Sequence, residues 1–496
     1  MIYEHSLGYG ARHYPQHIAL VGSAGQLTFS ELERRVARIA QALSARGLRA
    51  GDRLALYLPN QPEYIELIFA CARAGVSVVL LNTRLAPVEI DRILKDAEPL
   101  GLIRHSALTA LATGVAWQQV LDREPLIAQD ASGQPPMYDP QAFLGLIYTS
   151  GTTGQPKGAT LKHSAMLANI QHLNYWLSHS PGNVYLHAAP LFHIADLPFI
   201  FAAAAFGMSQ VVIPRFTPEL FCEMVQSARV THTVLVPTMI ELLIEFARLK
   251  EFDLSSLELL GYGGSPMAPE LVRRARQILP AVKLTQVYGL SETGYLTGLQ
   301  DQEHTEKRLT SCGRACPGID LRIVDESGQE RATGVPGEIV VRGANLMHGY
   351  WNKPEETAAA FREGFFRTGD VGYQDEGGYV YLLDRLKDMI VTGGENVYSG
   401  EVEAVLYAHP AIREAAVFGI PDPQWGELVM ACVALKACAP LTAQDLLAHC
   451  RKSLAGYKIP RRIEFSDTEL PKSSSGKILK RLLRERFWTN QARSVS

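Results

Sequence analysis

Alternating helical and strand-like segments are the feature that most constrains how this 496-residue chain can fold. Apolar residues recur at helical spacing in 28–47, with Ser30 as the expected N-cap, and the apolar run "DRLALYLP" (52–59) is typical of a buried strand. The same pattern repeats as a helix in 61–75 and a strand in 76–82. Helices that connect buried strands in this way predict an α/β fold with parallel sheets covered by helices.

The second half of the chain predicts two further units. From about residue 319, short strands and turns such as "GIDLRIVDESGQE" and "GEIVVRG" indicate a β-rich subdomain. From about residue 384, strands and helices alternate again up to the basic helix "ILKRLLRERF", which indicates a small α+β domain. The predicted architecture is a large N-terminal domain of stacked parallel α/β sheets with a β-rich subdomain, followed by this smaller domain.

Composition excludes several classes of protein. Hydrophobic residues make up 47% and charged residues 20%, which is typical of a soluble globular protein. A net charge of −3 offers no electrostatic footprint for nucleic acid. The apolar stretch 197–214 contains proline, glycine and polar residues, so we expect a buried helix and strand there and no transmembrane segment. The N-terminus has no signal-peptide pattern, and seven scattered cysteines favour a reducing, cytoplasmic location with Cys312 and Cys316 as free thiols.

One loop concentrates hydroxyls, glycines and a lysine. It reads "YTSGTTGQPKGA" (148–159) and follows an apolar strand. Glycines let the backbone approach a ligand and present N–H groups, and hydroxyls and Lys157 add donors, so the loop is suited to phosphate oxygens. It differs from a Walker A loop because Lys157 precedes Gly158 and no Ser or Thr follows the lysine directly. A glycine-rich solvent loop is the alternative.

Further segments in a fixed order resemble one family over nearly the whole chain. The loop is followed by "GYGGSP" (261–266), "YGLSETG" (288–294), "GEIVVRGANLMHGYW" (337–351), "FRTGD" (366–370), "DRLKDMIVTGGENVYSGEVE" (384–403) and "PKSSSGKILKR" (471–481). Together they resemble the motifs of the adenylate-forming (AMP-binding) superfamily, in its acyl-CoA synthetase and aryl-CoA ligase branch. The resemblance implies two half-reactions. A carboxylate and ATP give an acyl-adenylate and pyrophosphate, and coenzyme A then forms the thioester.

The resemblance also implies roles for matching residues on the phosphate side. Mg²⁺ would be held by Glu292, with Thr149 as a further metal ligand. Lys477 would reach both the substrate carboxylate and the α-phosphate, and is the expected catalytic residue of the first half-reaction. The implied phosphate-binding residues are Thr149, Ser150, Gly151, Thr152, Thr153, Gly154 and Lys157.

Adenosine contacts are implied by the later motifs. Asp370 would accept hydrogen bonds from the ribose hydroxyls, with Arg385 near the same sugar. Tyr288 would pack on the base. The remaining implied ATP-binding residues are Gly263, Gly264, Ser265, Gly289 and Ser291.

The resemblance implies that the C-terminal domain is a mobile lid. The expected domains are 1–386 and 387–496, with Lys387 as the hinge. Rotation of the lid would withdraw Lys477 after the first half-reaction. Gly393 and Gly394 would then leave room for the pantetheine arm of coenzyme A.

The acid-binding segment is expected in "PLFHIADLPF" (190–199). Amino-acid-activating relatives carry an aspartate where this chain has His193, so the resemblance disfavours an amino acid. His193 is therefore expected to act in the site and to line an acyl pocket with Tyr262 and Gly263. The orientation of Asp196 stays open, and so does the choice between a fatty acid and a cinnamic-type aryl acid.

Three alternatives differ in the acceptor or the chemistry. An adenylation enzyme that loads a carrier protein would share every ATP motif. A luciferase-like oxidase is disfavoured by the C-terminal "ARSVS". A non-catalytic nucleotide-binding module would lack Lys477, Glu292 and Asp370, which are all present. The oligomeric state is open, with a homodimer among the options.

Overall fold

The computed structural model describes residues 2–22, 25–108, 111, 114–121, 142–149, 156–436, 441–472 and 478–488. Within these ranges the helices are α1 (Leu7–His13), α2 (Phe29–Ala45), α3 (Pro62–Ala74), α4 (Pro87–Ala97), α5 (His163–Leu177), α6 (Leu197–Ala205), α7 (Pro218–Ala228), α8 (Pro237–Ile244), α9 (Pro269–Ile278), α10 (Pro354–Ala360), α11 (Ser399–Tyr407), α12 (Ala443–Cys450) and α13 (Lys480–Glu485).

The strands of the N-terminal two thirds of the chain are β1 (Ile18–Gly22), β2 (Gly25–Thr28), β3 (Arg53–Tyr57), β4 (Ser77–Leu80), β5 (Gly101–Arg104), β6 (Trp117–Val120), β7 (Phe143–Thr149), β8 (Lys157–Lys162), β9 (Val184–His187), β10 (Ser209–Val212), β11 (His232–Leu235), β12 (Leu259–Gly263), β13 (Lys283–Leu290), β14 (Gly294–Leu299), β15 (Ser311–Ala315) and β16 (Asp320–Val324). The strands that follow are β17 (Gly337–Arg342), β18 (Gly349–Tyr350), β19 (Phe361–Arg362), β20 (Phe365–Gln374), β21 (Val380–Arg385), β22 (Ile390–Thr392), β23 (Glu395–Val397), β24 (Ile412–Asp422), β25 (Gly426–Leu435) and β26 (Arg462–Ser466).

These strands form three sheets. The first has the order β16-β17-β20-β21-β15-β14-β13-β12-β11-β9-β10-β1-β2, with β19 against β20. The second has the order β18-β8-β7-β4-β3-β5-β6. The third has the order β23-β22-β25-β24, with β26 against β25, and lies in the C-terminal region. The predicted α/β class with a β-rich part and a smaller C-terminal α+β unit is confirmed.

The first β-α-β unit follows the prediction, apart from one helix start. Helix α2, strand β3, helix α3 and strand β4 occupy the expected segments, and β3 and β4 pair in parallel. Helix α2 begins at Phe29 because Thr28 caps it: the Thr28 hydroxyl accepts from the Glu31 amide, and the Glu31 carboxylate accepts from the Thr28 amide. The prediction of Ser30 as the N-cap was therefore wrong by two residues.

The largest core lies between the first two sheets. Apolar side chains of β3, β4 and β7 meet those of β9, β12 and β13 through the buried faces of helices α2, α3, α5 and α6. The apolar stretch at 197–214 forms α6 and β10, as predicted. Within the described ranges, no helix has the length and apolar character needed to cross a membrane.

The parallel part of the first sheet determines where a site can form. Strands β9, β11, β12 and β13 pair in parallel, so their carboxyl ends share one edge of the sheet. Ligands bind at this edge in open α/β sheets. The segments that leave it are 188–196 after β9, 264–268 after β12, and 291–293 after β13.

Candidate active site

A buried carboxylate with a basic and a phenolic partner lies where β13, β20 and β21 meet. Asp370 in β20 stands opposite Arg385 in β21, and the Asp370 Oδ1–Arg385 Nε distance is 2.6 Å. The hydroxyl of Tyr288, in β13, donates to Asp370 Oδ2 at 2.6 Å. Burial and the neighbouring carboxylate raise the pKa of Tyr288 well above its ordinary value, so its hydroxyl stays a donor. Each carboxylate oxygen accepts more than one hydrogen bond, so Asp370 can still accept from ligand hydroxyls.

A second acidic group lies just after β13. The Tyr350 hydroxyl donates to Glu292 Oε1 at 3.0 Å, and the Met347 amide donates to the Glu292 carbonyl at 2.7 Å. Lys157 Nζ lies 5.3 Å from the centre of the Tyr350 ring. Strand β18 carries Tyr350 beside β8, which carries Lys157 at its start. Tyr350 therefore contacts a carboxylate through its hydroxyl and a lysine ammonium through its ring.

The donor set at Glu292 fits a magnesium ion that is shared with phosphate. Mg²⁺ is commonly bound through one or two carboxylates together with substrate phosphates. Among the described residues there is no group of three or more His, Cys, Asp or Glu that could form an all-protein metal site. Thr149, the other expected metal ligand, ends β7, and its hydroxyl lies 3.5 Å from the Lys157 carbonyl. One half-buried carboxylate beside a lysine therefore suits a metal that arrives with phosphate.

Glycines keep the backbone thin between these groups. A Cβ on Gly263 would lie 2.2 Å from the Val287 carbonyl oxygen, so β12 and β13 approach closely at this point. Gly264 has a φ of 78°, which side-chain-bearing residues rarely adopt, and Ser265 follows it. A Cβ on Gly289 would lie 1.8 Å from the Gly294 carbonyl oxygen. Ser291 is half-buried beside Glu292.

His193 lies in the turn that follows β9. Its amide donates to the Pro190 carbonyl at 3.0 Å, and its ring lies 5.0 Å from that of Phe192. Burial, with a smaller contribution from the charge of Arg84, lowers the pKa of His193 to about 4. The imidazole is therefore neutral at neutral pH. Its Nε2 is buried and has no hydrogen-bond partner in the part of the chain that the structure describes.

The structure settles which way Asp196 points. Its side chain is 1% exposed and lies under the turn. The Tyr185 hydroxyl donates to Oδ1 at 3.0 Å, and His187 Nδ1 lies 3.1 Å from Oδ2. This carboxylate is thus occupied by protein partners and offers no counter-charge to a cationic substrate.

Tyr262 corrects one expectation about the acyl pocket. Side chains alternate along β12, and Tyr262 packs into a second core formed with helices α7, α8 and α9, on the face opposite Gly263. Its hydroxyl lies 2.8 Å from His304 Nε2 and its side chain is 2% exposed. The prediction that Tyr262 lines a pocket with Gly263 was wrong.

The C-terminal candidates lie around the third sheet. Lys387 follows β21, and its carbonyl accepts from the Arg484 guanidinium at 3.4 Å. Gly393 and Gly394, with φ values of 61° and 85°, form the turn between β22 and β23. The Gly393 amide donates to the Trp425 carbonyl at 2.8 Å. The remaining candidates lie outside the described residues: Ser150, Gly151, Thr152, Thr153, Gly154 and Lys477.

Sequence reasoning missed several residues of this site. Tyr350 lies inside the quoted segment "HGYW", but nothing in the pattern indicated a contact with Glu292 across 58 positions. Asn60, Tyr185 and His187, which bond to the turn carrying His193 or to its Asp196, were also missed. For Tyr185 and His187 the available signal was their spacing of two in a strand, which places both on one face.

Sequence profiles of two families match the chain. The profile described as "AMP-binding enzyme" covers residues 9–351, and that described as "AMP-binding enzyme C-terminal domain" covers residues 401–477. The chain belongs to the AMP-binding enzyme family. The predicted membership of the adenylate-forming superfamily is thus confirmed.

Several relatives are similar over almost their whole length. A feruloyl-CoA synthase from an Amycolatopsis species is 39% identical, over 96% of this chain and 97% of the relative. An indoleacetate–CoA ligase from Aromatoleum aromaticum is 35% identical over 92% of both. The long-chain-fatty-acid–CoA ligase FadD13 from Mycobacterium tuberculosis is 32% identical over 93% of both.

Solved structures support the same fold. The amide bond synthetase McbA from Marinactinospora thermotolerans superposes with a TM-score of 0.90 at 32% identity, over 97% of this chain and 99% of that protein. The o-succinylbenzoate-CoA synthetase from Bacillus subtilis, in complex with its acyl-adenylate intermediate, gives 0.87 at 32% identity, over 96% and 97%. The family and its fold therefore extend over nearly the entire chain.

Proposed function

We propose that this family member is an AMP-forming carboxylate–CoA ligase whose acid is an aryl acid of the cinnamic type, with no charged group other than its carboxylate. One observation carries the proposal. The Asp370 cluster, which suits a nucleotide, lies at the same sheet edge as the turn 190–196. That turn carries the neutral imidazole of His193, and its one carboxylate, Asp196, is bonded to Tyr185. The relatives named feruloyl-CoA synthase support the aryl acid. The family and the ligase names of the relatives support the reaction.

The nucleotide would bind at the Asp370 cluster. In this proposal the Asp370 carboxylate accepts hydrogen bonds from the ribose hydroxyls, while Arg385 and Tyr288 hold it in place. The thin backbone at Gly263, Gly264 and Ser265 leaves room for the flat base. These contacts would hold the α-phosphate near the end of β13, with Gly289 and Ser291 beside it.

The phosphate groups would be bound next to Tyr350, which contacts both Glu292 and Lys157. Glu292 would hold Mg²⁺ together with the phosphate oxygens, and Thr149 ends the strand that leads into the loop. The bound metal would neutralise charge on the phosphate oxygens. Lys157 adds a cation, and the loop residues Ser150, Gly151, Thr152, Thr153 and Gly154 would cradle the β- and γ-phosphates.

Joining two anions is the difficult step. The substrate carboxylate must attack the α-phosphate, and a positioned cation lowers the cost of bringing the two together. We assign this role to Lys477, on the strength of its place in the C-terminal motif. The thiol of coenzyme A then attacks the acyl carbon of the acyl-adenylate, which forms the thioester and releases AMP. Rotation about Lys387 would bring the Gly393–Gly394 turn to the site for that second step.

The acid would bind beside His193. Neither of the two polar side chains of the turn offers a counter-charge for an amino group, because His193 is neutral and Asp196 is already bonded to Tyr185 and His187. The turn contributes Leu191, Phe192 and Ile194 to the largest apolar core. An apolar acid with a planar ring fits such surroundings.

A substrate panel tests the proposal. Pyrophosphate release is measured with ATP, Mg²⁺ and ferulate, coumarate, benzoate or fatty acids of graded length, with and without coenzyme A. We expect the highest kcat/KM with a cinnamic acid and thioester formation with free coenzyme A. A clear preference for fatty acids would contradict the aryl assignment. Thioester formation only with an acyl-carrier protein would contradict the acceptor.

Substitution of Lys477 separates the two half-reactions. We expect Lys477→Ala to slow adenylate formation by a factor on the order of 10²–10³, because one transition-state contact is lost. Conversion of pre-formed acyl-adenylate and coenzyme A to thioester should stay within about twofold of wild type, because the rotated lid withdraws this residue. Lys480→Ala, in the same basic segment, is unsuitable as a control because the Lys480 ammonium is bonded to Glu403 and Ser399. Lys452→Ala, which removes an exposed lysine of the same domain, serves as the control. Equal loss in both half-reactions would contradict the role.

A further inference from the structure

We infer that Asp196 and its buried partners Tyr185 and His187 are positioning residues that hold the turn 190–196 so that His193 faces the acid. The inference rests on the proposed function, because it assumes that His193 contacts the substrate. It assigns a role to an acid whose position beside His193 would otherwise suggest a substrate counter-charge.

The turn that carries His193 is held at three places. At its start, the Asn60 amide group donates to the Ala189 carbonyl at 2.7 Å, and the Asn60 side-chain oxygen accepts from the Leu191 amide at 2.9 Å. Near its end, the Tyr295 hydroxyl donates to the Ala195 carbonyl at 2.5 Å. Asp196 supplies the third attachment through its side chain. A short segment that is bonded at both ends and also through a buried side chain has few alternative conformations.

The third attachment is the most deeply buried. The side chains of Tyr185, His187, Asp196 and Gln210 are all at most 1% exposed. The Tyr185 hydroxyl and the His187 ring both contact the Asp196 carboxylate, and His187 Nε2 lies 3.0 Å from Gln210 Oε1. These residues link the turn to neighbouring strands β9 and β10, which pair in parallel. Both carboxylate oxygens of Asp196 therefore have a buried partner, and hydrogen-bond networks of this kind make the surrounding backbone rigid.

The network acts on His193 through the backbone. The Asp196 amide donates to the His193 carbonyl at 3.1 Å, and the Leu197 amide, the first residue of α6, donates to the same oxygen at 3.1 Å. The His193 ring itself gains no such support, since its Nε2 has no hydrogen-bond partner among the described residues. The position of the ring therefore follows from the turn. A displaced turn would move the ring relative to the acid while leaving the nucleotide cluster in place.

A merely structural network makes a different prediction. If Asp196 only stabilised the fold, its loss would lower the melting temperature and the yield, and the kinetics per folded molecule would not change. If it positions His193, its loss would raise KM for the acid and leave KM for ATP unchanged. Small displacements of a reacting group lower rates strongly, so the kinetic effect should be measurable.

The experiment compares three single variants of the full chain, using whichever acid of the panel wild type activates fastest. We expect Asp196→Asn to raise KM for the acid about tenfold, since the amide is a weaker acceptor than the carboxylate it replaces. Tyr185→Phe removes one of the two side-chain bonds to Asp196 and should raise KM for the acid about threefold. Thr233→Val is the matched control. It removes a buried 2.9 Å bond to the Leu186 carbonyl in the same sheet and should change only the melting temperature.

A double-mutant cycle separates positioning from other roles. In the His193→Ala background, Asp196→Asn should no longer change KM for the acid, because the group it positions is gone. Unchanged acid kinetics in folded Asp196→Asn and Tyr185→Phe would overturn the inference, as would fully additive effects with His193→Ala. Failure of the proposed function is recognised separately, in wild type. If a fatty acid is the best substrate, the cycle is run with that acid and still decides the role of Asp196.

Discussion

The nucleotide side and the acid side of the site use their charges in opposite ways. The proposed nucleotide side is built from separate segments: Asp370 and Arg385 lie in paired strands of the β-rich part, and Glu292 lies just after β13. At the acid side, the charged group Asp196 lies under the turn and bonds only to the protein. In the proposed function, the side that would receive a polyanion directs charged groups to the ligand, and the side that would receive an apolar tail uses a carboxylate to hold its own backbone.

The largest effect should come from the nucleotide side. We expect Asp370→Asn to lower kcat/KM for ATP by a factor on the order of 10², because hydrogen bonds to a charged group contribute about 1.5–3 kcal/mol each. KM for the acid should stay within about twofold of wild type. Steady-state kinetics and calorimetric titration with ATP measure both. An equal rise in the KM values for ATP and for the acid would show that the two sides are coupled, and it would contradict their separation.

Substitution on the acid side should give the converse pattern. We expect His193→Ala to raise KM for the acid about tenfold while KM for ATP stays unchanged, because a single uncharged contact is removed. His304→Asn is the control, since His304 is a buried histidine that bonds to Tyr262 in the second core. It should lower stability without changing either KM. A rise in KM for ATP in His193→Ala would contradict the separation of the two sides.

Sequence grouped residues that the structure brings together around Asp370, and it left the direction of Asp196 open, for a physical reason. Asp370 and Arg385 lie in strands, and their opposition in β20 and β21 follows from motifs of fixed spacing. Asp196 lies in a turn without periodicity, so no residue pattern indicates the direction of its side chain. Tyr262 is a different case. The alternation of side chains along a strand already places it on the face opposite Gly263.

Long-range contacts were the part that no local pattern could provide. Tyr350 reaches Glu292 because β18 adds to the edge of the second sheet beside β8. The contact between Tyr288 and Asp370 spans 82 positions and depends on how the β-rich strands continue the first sheet. Such contacts depend on the packing of whole elements, which residue spacing within one element does not specify.

A smaller effect is expected where the nucleotide side meets the metal. Tyr350→Phe removes the 3.0 Å bond to Glu292 and leaves the ring beside Lys157. We expect the Mg²⁺ concentration at half-maximal activity to rise about threefold, because Glu292 loses its orienting donor. KM for the acid should not change. Titration of Mg²⁺ at saturating ATP measures the shift, and Tyr379→Phe, which removes a bond to Glu303 in the β-rich part, is the control. An unchanged Mg²⁺ requirement would show that Tyr350 does not orient this carboxylate.

The smallest effect is expected from pH on the acid side. Burial, followed by the charge of Arg84, lowers the pKa of His193 to about 4, below its ordinary value near 6.5. The ring therefore stays neutral as pH falls from 8 to 5.5, and a carboxylic acid substrate stays ionised over the same range. KM for the acid should be flat across this interval in wild type and in His193→Gln alike. A bend near pH 6.5 that is present in wild type and absent from His193→Gln would show that the imidazole titrates normally. The acid side would then present a charge after all.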